Sequence, residues 1–366
     1  MITIREVTAH LEDFAPLAYQ EEYDNSGLII GNGNHEVQGI LICLDTTEKV
    51  IEEAIGLGCN LIISHHPIIF KGLKKITGSD HVERTVLKAI QNNIAIYAVH
   101  TNLDNVIGGV NARICDKLNL TKRKILSPKH STLSKLVTFV PAKNKDQVLQ
   151  ALFDAGVGQI GNYKHCSFSV DGTGTFRPGE DTDPFVGETG KDETVSEKRI
   201  EVIFPAHLWN SVYDALKSVH PYEEVAYYHT RLDNNNQEVG SGMTGLLPEP
   251  MNPVDFLNFL KKNLNLEIVR HTTHAQIKEI SKVAVCGGSG SFLISDAIRS
   301  GAEVFVTGDV KYHDFFNAEH HLMIADIGHY ESEIFTKDLL YDLLMKKFNT
   351  FALHLSKTDS NPVSYF

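Results

Sequence analysis

The first third of the chain carries apolar residues in two rhythms. Residues 39–44 form an apolar run of the length of a strand buried on both faces. Over 47–58, Val50, Ile51, Ala54 and Ile55 recur at helical spacing and the segment closes on Gly56 and Gly58, which predicts a helix. The alternation continues with a strand at 60–64, a helix at 80–92 with Asp80 as N-cap, and a strand at 94–100. Elements in this order predict a parallel βαβαβ unit.

Strand-like runs return at 282–286, 303–307 and 322–326, with helical patterns between and after them. Shifting the sequence by 243 positions pairs Cys43 with Cys286, Ile51 with Ile294, Ala54 with Ala297, Ile55 with Ile298 and Gly58 with Gly301. Shared composition explains part of this matching, but the matching order of elements adds to it and predicts two related half-units. Between them the pattern changes: strand then amphipathic segment at 135–142 and 145–155, again at 199–204 and 207–219, and a strand at 225–230. The Gly-, Asp- and Thr-rich stretch 171–194 has no apolar periodicity and reads as turns and loop. The expected fold is an α/β core of two related βαβ-rich half-units, in segments 1–126 and 245–366, interrupted at 127–244 by an α+β ferredoxin-like domain.

At 366 residues the chain exceeds one typical core. With 42% hydrophobic and 22% charged residues its composition is that of a folded protein. Residues 1–16 mix Arg5, Glu6, His10, Glu12 and Asp13 with apolar residues, unlike a signal peptide, and no apolar run approaches the ~20 residues of a membrane span. The five cysteines are scattered without Cys-x-x-Cys spacing, which argues against a disulfide framework or cysteine zinc site and fits a reducing cytoplasm. A net charge of −12 disfavours nucleic acid as a partner.

In open α/β sheets, sites gather beyond the carboxyl ends of strands. The segments there are ligand-like: Asp45, His65-His66-Pro67, His100 through Asp104, the run Gly287 to Gly290, Gly308-Asp309 and Gly328-His329. Adjacent histidines in extended chain point in opposite directions, so His65 and His66 address two metals, or flank one if the chain bends before Pro67. His329 and Glu333, four apart, share a helix face and can grip one ion. Asp104 offers a carboxylate able to bridge two cations. Mixed imidazole and carboxylate ligation suits zinc, iron or manganese better than calcium, with zinc favoured. Asp45, His100 and Asp309 stand as supporting residues behind the ligands.

Each has a structural alternative. His65 reads equally as a hydrogen-bonded strand-end residue, and His329 with Glu333 as a solvated helix start. Asp45 fits a helix N-cap, Asp104 a turn cap and His100 the partner of a buried carbonyl. The glycine run could cradle an anion but lacks the Walker pattern, and His220 to Glu224 reads as a surface turn.

Taken together and in order, Ser64-His65-His66-Pro67, His100-Thr101-Asn102-Leu103-Asp104, Thr307-Gly308-Asp309 and Gly328-His329-Tyr330 through Glu333 resemble the motifs of the Nif-three-like dinuclear-metal family, whose members carry the name GTP cyclohydrolase type 2 homolog. The resemblance implies that His65, His66, Asp104, His329 and Glu333 hold two divalent metal ions per subunit. It also implies a toroidal homohexamer with sites facing its cavity, and a PII-like insertion. Asp309 and Ser332 stand where Glu and Thr are frequent. The expected function is a dinuclear metal-binding protein and metal-dependent hydrolase of a small molecule or nucleotide, with GTP ring opening implied by the resemblance. The alternative is a non-catalytic metal-binding or regulatory scaffold; a nucleic-acid-binding ring is the weakest reading.

Overall fold

The structure is a computed structural model that describes residues 1–273 and 276–366. It divides into two compact units, Met1–Ser127 with Glu238–Phe366, and Pro128–Gln237. The first segment runs α1 (Ile4–Phe14), β1 (Gly27–Ile30), β2 (Gly39–Cys43), α2 (Glu48–Gly56), β3 (Leu61–Ser64), α3 (His81–Gln91), β4 (Ala95–Ala98), α4 (Thr101–Asp104), α5 (Val110–Lys117) and β5 (Thr121–Lys129). The smaller unit holds β6 (Leu133–Pro141), α6 (Lys145–Asp154), β7 (Phe168–Phe176), β8 (Glu193–Pro205), α7 (Trp209–Val219) and β9 (Tyr227–Leu232). The chain continues as β10 (Asn236–Met251), α8 (Pro253–Leu264), β11 (Arg270–His271), β12 (Ile280–Ser289), α9 (Ile294–Arg299), β13 (Val304–Gly308), β14 (Met323–Asp326), α10 (His329–Glu333), α11 (Thr336–Met345) and β15 (Ala352–Leu355).

The larger unit is mixed α/β with two sheets. One has the order β1-β4-β3-β2-β15 and the other β11-β14-β13-β12-β10-β5. Strands β2, β3 and β4 are buried throughout and run parallel, as expected of continuous apolar runs covered on both faces. Their register sets Cys43 beside Ser64 and Ser64 beside Ala98, so the three strands end level. Strands β12, β13 and β14 are likewise parallel, with Thr307 beside Asp326. Helix α2 buries Val50, Ile51 and Ala54, and its N-cap is Thr47, whose side chain accepts from the Val50 amide. Asp45 is therefore not the cap of that helix. Asp80 caps α3 by accepting from the Glu83 amide at 2.9 Å.

Glu83 holds the loop ahead of α3. Its Oε2 accepts from the Ser79 amide at 3.0 Å and from the Thr77 amide and hydroxyl at 2.8 Å each. Backbone bonds from Ser79 and Thr77, then the Thr77 hydroxyl, pull its carboxyl from the usual 4.5 to about 2. A lowered folded-state pKa contributes stability above 4.5 that is lost as pH falls toward 2. The stability gap between wild type and Glu83→Gln should therefore be constant near neutrality and close across that acid range. Urea midpoints of the two proteins against pH check this; a gap that stays open in acid contradicts it.

The smaller unit is one antiparallel sheet of order β7-β8-β6-β9 with two helices. Leu136, Val140, Ile200 and Val202 form its core with Val148 and Leu152 of α6 and Val212 and Leu216 of α7. The stretch 171–194, expected to be turns and loop, contains most of β7 and the first residues of β8. Strand β7 lies at the sheet edge and is mostly exposed along its length, so nothing forces its residues to alternate between apolar and polar.

Candidate metal centre

Where β3 ends, the chain bends and both histidine rings turn to the same side, their centroids 4.9 Å apart. His65 is fully buried, and its Nδ1 donates to the Val99 carbonyl at 2.8 Å. A carbonyl only accepts, so the proton sits on Nδ1 and Nε2 presents a lone pair. That Nε2 lies 3.6 Å from Asp104 Oδ1 and 3.7 Å from Glu333 Oε1. His65 Nε2 and Asp104 Oδ1 are both buried and without a hydrogen-bond partner.

His66 and His329 repeat this arrangement. His66 Nδ1 donates to Asp45 Oδ1 at 2.6 Å, and His329 Nδ1 donates to Asp309 Oδ2 at 2.7 Å. Their Nε2 atoms stand 3.3 Å apart and 2.9 and 3.0 Å from Glu333 Oε2. Glu333 is 3% exposed, so His329 and Glu333 are not a solvated helix start. The five sequence-predicted ligands thus converge, in two groups whose ligand atoms lie within 4.8 Å of one another: His66, His329 and Glu333, and His65, Asp104 and Glu333. Glu333 belongs to both and Asp104 to one.

With Nδ1 protonated, these inward atoms are all acceptors, and lone pairs facing lone pairs in a buried site need protons or cations between them. Burial opposes charge on His66, but hydrogen bonds to Asp45 and Glu333 outweigh it and push its pKa up to about 10. His329 rises to about 9, against burial, through Glu333 and then Asp309. Burial, helped by the Glu333 charge, lifts Asp104 to about 7. Burial works against ionised Glu333 too, yet hydrogen bonding to His329 and His66 and the nearby His65 ring hold it well below its ordinary value. Three imidazoles and two carboxylates around orphaned acceptors fit divalent zinc, iron or manganese.

The supporting residues are placed by backbone geometry. Asp309 adopts a left-handed φ of 54°, which Asp and Asn tolerate better than most side chains. The Ser332 hydroxyl donates to the His329 carbonyl at 2.7 Å and accepts from the Gly288 amide at 2.9 Å. Gly288 has φ +62°, and a Cβ there would lie 2.4 Å from Glu333 Oε1, so the glycine run gives close approach to a ligand. Asp326 at the end of β14 accepts from the Val310 and Gly328 amides, 3.1 Å each, and ties the two strand-end loops together.

His100 lies with His65 and His66 in a third group within the same 4.8 Å limit. Its Nδ1 donates to Asp24 Oδ1 at 2.7 Å, so its partner is a carboxylate and not a buried carbonyl. Asp24, which also accepts from the Thr101 amide, was missed in the sequence because it precedes β1, outside any parallel strand end. The C-terminal tail was missed too: the Ser360 hydroxyl donates to Asp45 Oδ2 at 2.7 Å. The centre opens into a cleft of about 780 Å³ lined among others by Tyr23, Phe70, Arg270 and Tyr365. Tyr23 and Phe70 stack there with centroids 6.3 Å apart.

Replacing Asp45 or Asp309 by Asn keeps an acceptor at Nδ1 but removes its charge, and Asn tolerates the backbone at 309. Each change should weaken divalent-metal affinity by about tenfold. Competition against a chromophoric chelator measures it, and unchanged affinity in both variants rules out the supporting role.

The model of the family Duf34/NIF3 (NGG1p interacting factor 3) matches residues 2–362. A Bacillus subtilis protein named GTP cyclohydrolase 1 type 2 homolog is 39% identical over 360 residues, which cover 97% of this chain and 96% of its own. A protein of that name from Halalkalibacterium halodurans is 43% identical over 345 residues, covering 93% and 92%. The solved structure of a Bacillus cereus protein related to NIF3 matches over 100% of both chains with a TM-score of 0.87 and 39% identity. Among the described residues no helix is long and apolar enough to cross a membrane. This chain belongs to the Duf34/NIF3 family.

Proposed function

We propose that this protein holds two divalent metal ions per chain and acts as a metal-dependent hydrolase on a small molecule of nucleotide type. The observation that carries the reading is the pair of buried, partnerless acceptors, His65 Nε2 and Asp104 Oδ1, set against a carboxylate that also touches His66 and His329. His65, Asp104 and Glu333 would hold one ion, and His66, His329 and Glu333 the other. This makes Glu333 the shared carboxylate, in place of the Asp104 expected to bridge. Divalent ions held there supply Lewis acidity and lower the pKa of water toward ~7.

The chain's own residues supply orientation and proton handling. Val99, Asp45 and Asp309 lock the three imidazoles with Nε2 inward. His100, oriented by Asp24, is placed to hold or move a proton at the reacting oxygen. The relatives' name supports nucleotide ring hydrolysis as the reaction class, and the cleft offers the stacked Tyr23 and Phe70 to a planar ring. Zinc remains the favoured ion and a homohexamer the proposed assembly. The strand order of the smaller unit supports a ferredoxin-like reading, and the two parallel three-strand sets in matching order support related half-units.

Elemental analysis of metal-loaded protein should give two ions per chain, and turnover of GTP or generic phosphoesters should require them. One ion or fewer removes the paired site. Two ions without turnover of any of these substrates removes the hydrolase and leaves a metal-binding scaffold.

A further inference from the structure

A second cavity, of about 600 Å³, lies wholly within the Pro128–Gln237 unit. Phe139 pairs with Arg199 and Gly172 with Glu197 across the sheet, so these residues share one face, and they line the cavity. The intervening Val140 and Ile200 point to the opposite face and pack with α6 and α7. The cavity therefore sits on the side of the sheet away from the helices, with residues 177–186 and 222–224 contributing to its walls.

We infer that this cavity binds an organic cation, an ammonium or guanidinium group carried on an apolar or planar body. Glu197 is 8% exposed, and its sole partner among the described residues is the Tyr222 hydroxyl, which donates to Oε1 at 2.7 Å. Among the described residues no cationic side chain forms an ion pair with it. The basic residues lining the cavity pair with other carboxylates: Arg199 with Glu201 at 2.7 Å, its Nε being buried without a partner, and Arg177 with Asp192 through bonds of 2.8 and 2.6 Å. Among the described residues Glu223 accepts from the Asp183 amide alone, and neither it nor Glu224 pairs with a cation. A buried carboxylate without a counter-charge is costly, and a cation in the cavity removes that cost.

The walls choose between kinds of cation. Phe176 and Phe185 stand 6.3 and 6.1 Å from the Tyr222 ring, forming an aromatic enclosure beside the carboxylate. Aromatic faces attract organic cations, and Lys143 Nζ already lies 4.8 Å from the Phe185 centroid. Among the described residues none of the carboxylates lining this cavity belongs to a group of three ligand atoms close enough together to hold a metal ion, which argues against an inorganic divalent cation. Gly174 makes the space, since a Cβ there would come within 2.3 Å of Glu197 Oε2. Two stretches that the metal centre leaves unused, the Gly- and Thr-rich run and His220 to Glu224, meet at this one cavity.

The test is calorimetric titration of the full, metal-loaded chain with benzylamine and with agmatine. Benzyl alcohol, benzoate and calcium serve as controls. One amine site is expected, weakened at least about tenfold in Glu197→Gln, the loss of a charge-assisted hydrogen bond. Phe185→Ala should weaken it as well, and benzyl alcohol and benzoate should not bind. Should Glu197→Gln lose its near-ultraviolet dichroism, Tyr222→Phe gives the same reading with the carboxylate intact but unoriented. The proposal is overturned if neither amine binds, if binding persists in Glu197→Gln, if benzoate binds as well as benzylamine, or if calcium displaces the amines. A mass in light scattering that falls on Glu197→Gln would also overturn it, by assigning the face to a second copy of the chain.

Discussion

Glu333→Gln should weaken both metal ions of the centre together, each by at least about a hundredfold. Changes to groups behind metal ligands already cost up to that factor, and Glu333 faces His65 through one oxygen and His66 and His329 through the other. The amide keeps the volume but loses the charge that offsets repulsion between two cations. Asp104→Ala is the contrasting variant, because Asp104 falls in the group of His65 alone. It should weaken one ion strongly and leave the other within a few fold. Two-site calorimetric titrations separate the cases. If Asp104→Ala weakens both sites and Glu333→Gln only one, the shared carboxylate is Asp104 and the assignment made from the geometry is wrong.

Removing metal with a chelator should lower the unfolding midpoint of the Met1–Ser127 with Glu238–Phe366 unit by roughly 10 °C. A ligand at a thousand times its dissociation constant contributes about 4 kcal/mol, and about 2–4 °C follows per kcal/mol in a domain of this size. The loss has a local cause, since the partnerless acceptors at His65 and Asp104 are left facing a buried carboxylate. Because the Pro128–Gln237 unit has its own core around Leu136, Ile200 and Val202, its transition should stay where it was. Differential scanning calorimetry with and without chelator, read beside Glu333→Gln, decides this. A shift of both transitions by the same amount, or of neither, contradicts the prediction.

Much of the larger unit was legible because β2, β3, β4, β13, β14 and the middle of β12 are buried, and burial on both faces writes a continuous apolar run into the sequence. Capping was partly legible: Asp80 caps α3, but Thr47 and not Asp45 caps α2, since the cap's side chain must reach the amide three residues further in, here that of Val50. Edge elements were not legible. Strand β15 is recruited to β2 from the far end of the chain, and β7 is exposed, so neither leaves a local periodic signal.

For the site, the sequence by itself determined the residue types at the strand ends: His65 and His66 after β3, Asp104 beyond β4, and His329 and Glu333 one helical turn apart. The tertiary structure decided how they face one another. It turned both adjacent histidines inward, seated Glu333 between the groups, and brought Asp24 and Ser360 to the back of the site from outside the strand ends. The reason is physical. Helical spacing and strand ends are local properties of a few successive residues, whereas a contact such as His66 with Glu333 joins positions 267 apart and exists only once both sheets have packed.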